Sequence, residues 1–100
     1  MRIKILRSAQ NDLAAGRRFY EEKSQGIGDY FLDSLFSDIE SLLINAGVHS
    51  INFGKYQRLL SKRFPFAIYY RVEDKVIYFY AVLDCRRSPA WQRNKLSMIS

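Results

Sequence analysis

A chain of 100 residues that is 48% apolar and 15% aromatic can bury one core, and that composition excludes a disordered chain. Its single cysteine, Cys85, excludes an internal disulfide, and His49, the only histidine, has no second ligand at metal-binding spacing. The net charge of +6 is lopsided: residues 1–46 carry six Lys or Arg against seven Asp or Glu, whereas residues 47–100 carry ten against three. A basic second half points to an acidic partner, either nucleic acid or an acidic protein segment.

The first residues alternate charged and apolar at Arg2, Ile3, Lys4 and Ile5, the pattern of an edge strand. Charges inside this apolar run argue against a signal peptide or a membrane span, so a reducing, cytoplasmic setting is expected. Ser8 is expected to cap a helix over residues 9–24, with Asp12 favourable in its first turn. Ala9, Leu13, Gly16 and Tyr20 form its apolar stripe, and Arg17–Glu21 and Arg18–Glu22 are spaced as surface ion pairs. Two glycines, Gly26 and Gly28, break the helix, and Asp29 can cap a second one over residues 30–46. There Phe31, Leu35, Ile39 and Leu42 make a wide buried stripe, while Asp29, Asp33, Asp38 and Glu40 are expected on an acidic outer side. Gly47 ends this helix, and the short link between the two makes an antiparallel helical hairpin.

Residues 48–55 read as a connector and residues 56–60 as a strand. Residues 63–72 and 76–83 then form two runs of β-branched and aromatic residues, separated by a link that suits a hairpin and no parallel crossover. Strict alternation would put Tyr69 and Arg71 on an open face opposite Phe66, Ile68 and Tyr70. The second run is apolar on both faces, which marks a central strand covered on each side. Beyond it, Pro89 suits a turn or a helix start, Trp91 can anchor the segment, and residues 96–100 are expected to fray. Together these elements predict a single α+β domain over residues 1–100. A helical hairpin would lie on one face of a mainly antiparallel sheet of about four strands.

One stretch carries a more specific signal. Phe64, Pro65, Phe66, Ile68, Tyr69 and Tyr70, then Ala81 and Val82, then Arg86, Arg87, Ser88, Pro89 and Trp91 resemble the signature of the RelE/ParE superfamily. These are toxins of bacterial type II toxin–antitoxin systems, and they include plasmid stabilisation proteins. The resemblance implies the order β-α-α-β-β-β, an acidic antitoxin as partner in a hetero-oligomer, and no cofactor. It leaves two mechanisms open: ParE-like poisoning of DNA gyrase by protein contact, or RelE-like cleavage of mRNA on the ribosome. A degenerate member that only binds its antitoxin is a third reading.

Two departures from the family pattern favour the ParE-like side. Asp84 stands where the family places a histidine, and Ala67 falls where a basic strand residue is expected. Cleavage at a 2′-hydroxyl needs proton-transfer groups with pKa near the working pH, and an aspartate is an unpromising one. If the chain is a nuclease, Arg58, Arg63, Arg71 and Asp84 are the candidate catalytic residues. Target or RNA contacts are expected from Tyr69, Arg86, Arg87, Trp91 and Arg93, since arginine holds phosphate and aromatic rings stack on bases.

Overall fold

Asp74 and Lys75 both take positive φ (50° and 63°), which closes the hairpin in two residues with Glu73 opposite Val76. The computed structural model describes residues 1–45, 51–52 and 55–99. The expectations placed on Gly47 and His49 lie outside the described residues. In chain order the elements are β1 (Arg2–Ile5), α1 (Arg7–Lys23), α2 (Ile27–Asn45), β2 (Ile51–Asn52), β3 (Tyr56–Leu60), β4 (Phe66–Glu73), β5 (Val76–Asp84) and α3 (Pro89–Ser97). One sheet runs β1-β5-β4-β3-β2, antiparallel except for the parallel pair β1 and β5. The fold is α+β, as expected, with one strand more. β2 is a two-residue strand inside the segment read as a connector, too short to show a period. β5 lies between β1 and β4 and is covered on both faces, as its two apolar faces called for, but the middle strand of the five is β4, because β2 adds a strand on the far side.

The sheet has a core on each face. On one, the α1–α2 hairpin packs Leu13, Phe31, Leu35, Ile39 and Leu42 against Phe66, Ile68, Tyr70, Ile77, Phe79 and Val82. On the other, α3 sets Leu96 and Trp91 against Tyr56, Ala67, Tyr69, Ala81 and Leu83. Leu96 is thus buried and Ile99 packs on the same core, where fraying was expected from residue 96 onward, although Met98 is exposed.

Strict alternation fails along β5. Tyr69 pairs with Ala81 but Tyr70 with Phe79, which leaves Tyr80 as the extra residue of a β-bulge. Phe79 and Val82 therefore both reach the helical hairpin, although they are an odd number of residues apart. The bulge occurs just where β1 ends, since Ile5 pairs with Phe79. Beyond that point β5 has a bare edge, and α1 covers it. Ser8 Oγ donates to the Tyr80 carbonyl (2.5 Å), and Asp12 Oδ2 accepts from the Val82 N–H (2.9 Å). So Ser8 is not the cap of α1. The helix starts at Arg7 behind Leu6, with no side-chain cap.

Three other local expectations give way to tertiary partners. Glu21 accepts the N–H groups of Gly26 and Gly28, tying the start of α2 to α1, and Gly26 turns the chain at φ 90°. Arg17 pairs with Asp29 at 3.0 Å rather than with Glu21. Asp29 sits inside the first turn of α2, which begins at Ile27. Asp38, expected on the outer side, is buried, and its carboxylate accepts from Ser61 Oγ (2.7 Å) and the Lys62 N–H. It fastens the β3–β4 turn onto α2. Among the described residues no helix is long and apolar enough to cross a membrane.

Candidate functional site

Asp84 ends β5, and two residues later Arg86 turns back on it. Arg86 Nε and Nη2 donate to the two carboxylate oxygens at 3.0 and 2.7 Å, and the Arg86 backbone N–H adds a third bond. The guanidinium hydrogen bond holds the Asp84 carboxyl below the usual carboxylate range. A base so depressed is far from matching a reaction near neutral pH.

Ser88 then caps α3, accepting the Trp91 N–H through its hydroxyl, with Pro89 at the first helical position. The cap sets Trp91 one turn in, half-buried against the second core. The Arg87 guanidinium lies 4.3 Å from its ring centroid and the Lys95 ammonium 5.6 Å. Arg86, Arg87 and Arg93 are exposed. The three arginines thus flank the β5–α3 junction, with Arg87 on Trp91, Arg86 turned to Asp84 and Arg93 two residues beyond Trp91 on α3.

The structure does not bring the other candidates there. Tyr69 is fully buried beneath α3, so it offers no open surface. Sequence alternation assigned its face correctly but could not show that α3 covers it. Its hydroxyl accepts from Arg58 Nε at 3.0 Å and donates to Gln92 Oε1, while Gln92 Nε2 donates to the Arg87 carbonyl. Arg58, half-buried, is therefore held in a polar chain that runs through Tyr69 and Gln92 to α3. Arg71 lies opposite Tyr78, whereas Asp84 lies opposite Phe66 at the other end of the hairpin. Five residues along a strand separate those positions by roughly 17 Å. Arg71 meets Glu73 instead, at 3.6 Å. Arg63 is exposed in the turn before β4. The four residues named for cleavage do not converge.

One group that sequence reasoning missed is Asp12. A groove of about 360 Å³ runs between α1 and α3, with Asp12 and Phe19 on one wall, Arg87, Trp91 and Lys95 on the other, and Val82 on its floor. Burial raises the Asp12 carboxyl to about 6, against the opposing pull of the Val82 N–H and Lys95. The available signal was weak: Ser8 and Asp12 are spaced i, i+4 on the shoulder of the apolar stripe, where a polar pair also suits solvent.

No protein-family model matches the chain, and no curated protein matches it. Among solved structures, a chain of one described as "Chromosomal ParDE TA system from P. aeruginosa" superposes with a TM-score of 0.74 at 22% identity. The match covers 82% of this chain and 92% of that one. The fold is ParE-like. In this ParE-like fold the basic corner forms where β5 meets α3, and the groove beside it follows the part of β5 that β1 leaves uncovered. No cluster of metal-binding side chains is present among the described residues.

The raised Asp12 carboxyl makes a stability prediction. Its folded pKa lies above the ordinary 3.8, so its contribution is present at low pH and is lost as pH rises through about 6. Asp12→Asn keeps an acceptor for the Val82 N–H and removes the ionisation. The variant is expected to be more stable than the parent by about 1–2 kcal/mol at pH 7.5, after discounting for partial exposure. That gap should narrow as pH falls to 4.5, and thermal melts at both pH values check it. A variant less stable at pH 7.5 would mean that the carboxylate is stabilised by its surroundings.

Proposed function

We propose that this chain is the toxin of a type II toxin–antitoxin system, working in the cytoplasm and acting by protein contact on DNA gyrase. The observation that carries the contact mechanism is the state of Asp84. Its carboxylate is engaged by Arg86 on both oxygens, and Arg58 and Arg71 are committed elsewhere. The exposed corner of Arg86, Arg87, Trp91 and Arg93 is instead suited to grip an acidic or polar protein surface. The ParE-like fold supports the toxin assignment, and the basic second half supports an acidic antitoxin that folds over it in a hetero-oligomer.

The test is a supercoiling and cleavage-complex assay with purified gyrase, beside primer extension on mRNA from a reconstituted translation reaction. Gyrase inhibition with intact mRNA is the expected result. Ribosome-dependent cuts would replace the reading with an mRNA endonuclease, and unimpaired growth on expression would mark a degenerate member. Arg86→Ala/Arg87→Ala is expected to relieve growth inhibition at least tenfold. Its thermal midpoint should stay within a few degrees, because exposed ion pairs are screened by solvent and contribute little to stability. Full toxicity in that double variant would remove the basic corner from the mechanism.

A further inference from the structure

The α1–α3 groove holds charges of both signs that do not satisfy one another. Among the described residues Asp12 receives one hydrogen bond, from the Val82 N–H, and no ion pair includes Asp12 or Lys95, whose ammonium lies 5.6 Å from the Trp91 ring centroid. Yet Lys95 acts on Asp12 electrostatically, so the two face each other across the groove without contact. The other carboxylate present, Asp84, is already neutralised by Arg86. Between Asp12 and Lys95 the groove is lined by Val82, Leu83, Phe19, which is 45% exposed, and Trp91, whose ring already carries Arg87 at 4.3 Å and Lys95 at 5.6 Å. An ionised carboxylate beside apolar walls costs free energy while no cation faces it closely. Such a groove suits a ligand that carries a cation, an anion and a flat apolar body.

We propose that this groove binds a free aromatic α-amino acid as its zwitterion, with the ammonium on Asp12, the carboxylate on Lys95 and Arg87, and the ring between Phe19 and Trp91. The volume is sufficient. The cavity of about 360 Å³ continues into a second of about 300 Å³ that shares Asp12, Leu83 and Lys95, and small-ligand sites start near 300 Å³. Competing ligand classes each leave a charge unmatched. A phosphate on Lys95 would be repelled by the Asp12 carboxylate. An aromatic residue inside a peptide supplies neither charge, and a charged side chain supplies only one of the two. The inference does not depend on the toxin reading, because the groove would bind the amino acid whether or not gyrase is the target.

Trp91 is the only tryptophan and lies in the groove, so its fluorescence reports binding directly. The full chain would be titrated at pH 7.5 with L-phenylalanine, with phenethylamine, which lacks the carboxylate, and with 3-phenylpropionate, which lacks the ammonium. Saturable binding of phenylalanine is expected, with a Kd on the order of 0.1–1 mM for a ligand of this size. Both truncated analogues should bind at least tenfold more weakly. Asp12→Asn should erase the preference over phenylpropionate, and Lys95→Gln the preference over phenethylamine. Affinity for phenylalanine should also fall at pH 5, as Asp12 takes a proton. The other charged groups along this groove are Lys95 on α3, Asp84 at the end of β5 and Arg87 just beyond it. No saturable change with phenylalanine in a chain that melts normally would overturn the proposal. So would equal binding of either analogue. Tighter binding of AMP would overturn it too, by making the groove a site for an anion and a ring with no role for Asp12.

Discussion

Replacing Phe31 with alanine is expected to destabilise the fold by about 3–5 kcal/mol. In a thermal melt that is a fall of roughly 15–30 °C for a domain of this size. Phe31 is fully buried at the meeting of both helices and the sheet. Its ring stacks on Tyr20 at 5.2 Å and meets Phe64 and Phe66 edge-on at 5.1 and 5.0 Å. The site cannot collapse around a smaller residue, because its walls come from three different elements. Gly16 completes the argument from the other side. A Cβ there would lie 2.5 Å from Phe31 Cζ. Helix propensity alone favours Gly16→Ala by about 1 kcal/mol. Overpacking outweighs it, and a net loss of about 1–2 kcal/mol is expected. Adding Phe31→Leu to Gly16→Ala should then cost less than the two single changes together, since the residues share one space. A higher midpoint for Gly16→Ala alone would show that the ring has room to move.

The second large effect concerns Tyr69. Tyr69→Ala is expected to lose about 3–5 kcal/mol, because it empties the core beneath α3. Tyr69→Phe keeps the ring and removes the hydroxyl that Arg58 and Gln92 share. Gln92 is itself buried, so losing that donor is expected to cost about 1–3 kcal/mol. Circular dichroism melts of the two variants separate ring from hydroxyl. Under the proposed toxin function, any loss of growth inhibition in Tyr69→Ala should track the loss of folded protein. An unchanged melt would mean that the tyrosine is a surface residue after all. Burial also keeps the phenol above its ordinary pKa, so the hydroxyl retains the proton it donates to Gln92.

Periodicity carried the elements, because the strongest sequence signals are those that repeat. Phe31, Leu35, Ile39 and Leu42 recur at helical spacing and are all buried, and the doubly apolar run at residues 76–83 is an interior strand covered on both faces. The basic junction of β5 and α3 was also legible, since Arg86, Arg87, Trp91 and Arg93 lie within eight residues of one another. Charge placement against distant partners was not. Glu21, Asp29, Asp38 and Asp12 each looked like a helix-surface carboxylate. Each took a partner set by tertiary packing: the Gly26 and Gly28 amides, Arg17, the Ser61 turn and the β5 edge.

By itself the sequence determined the α+β class, the helical hairpin, the strand order within the meander and the segregation of positive charge. These follow from the spacing of residues along one chain. Only the tertiary structure decided that a bulge at Tyr80 re-aims β5, that α3 closes over Tyr69, and that Asp12 faces Lys95 across a groove. A bulge changes side-chain direction without leaving a period, and which face of a sheet is covered depends on elements far apart in sequence. The electrostatics of a carboxylate depend on burial by those same elements, so the site became visible only once the two helices stood on either side of β5.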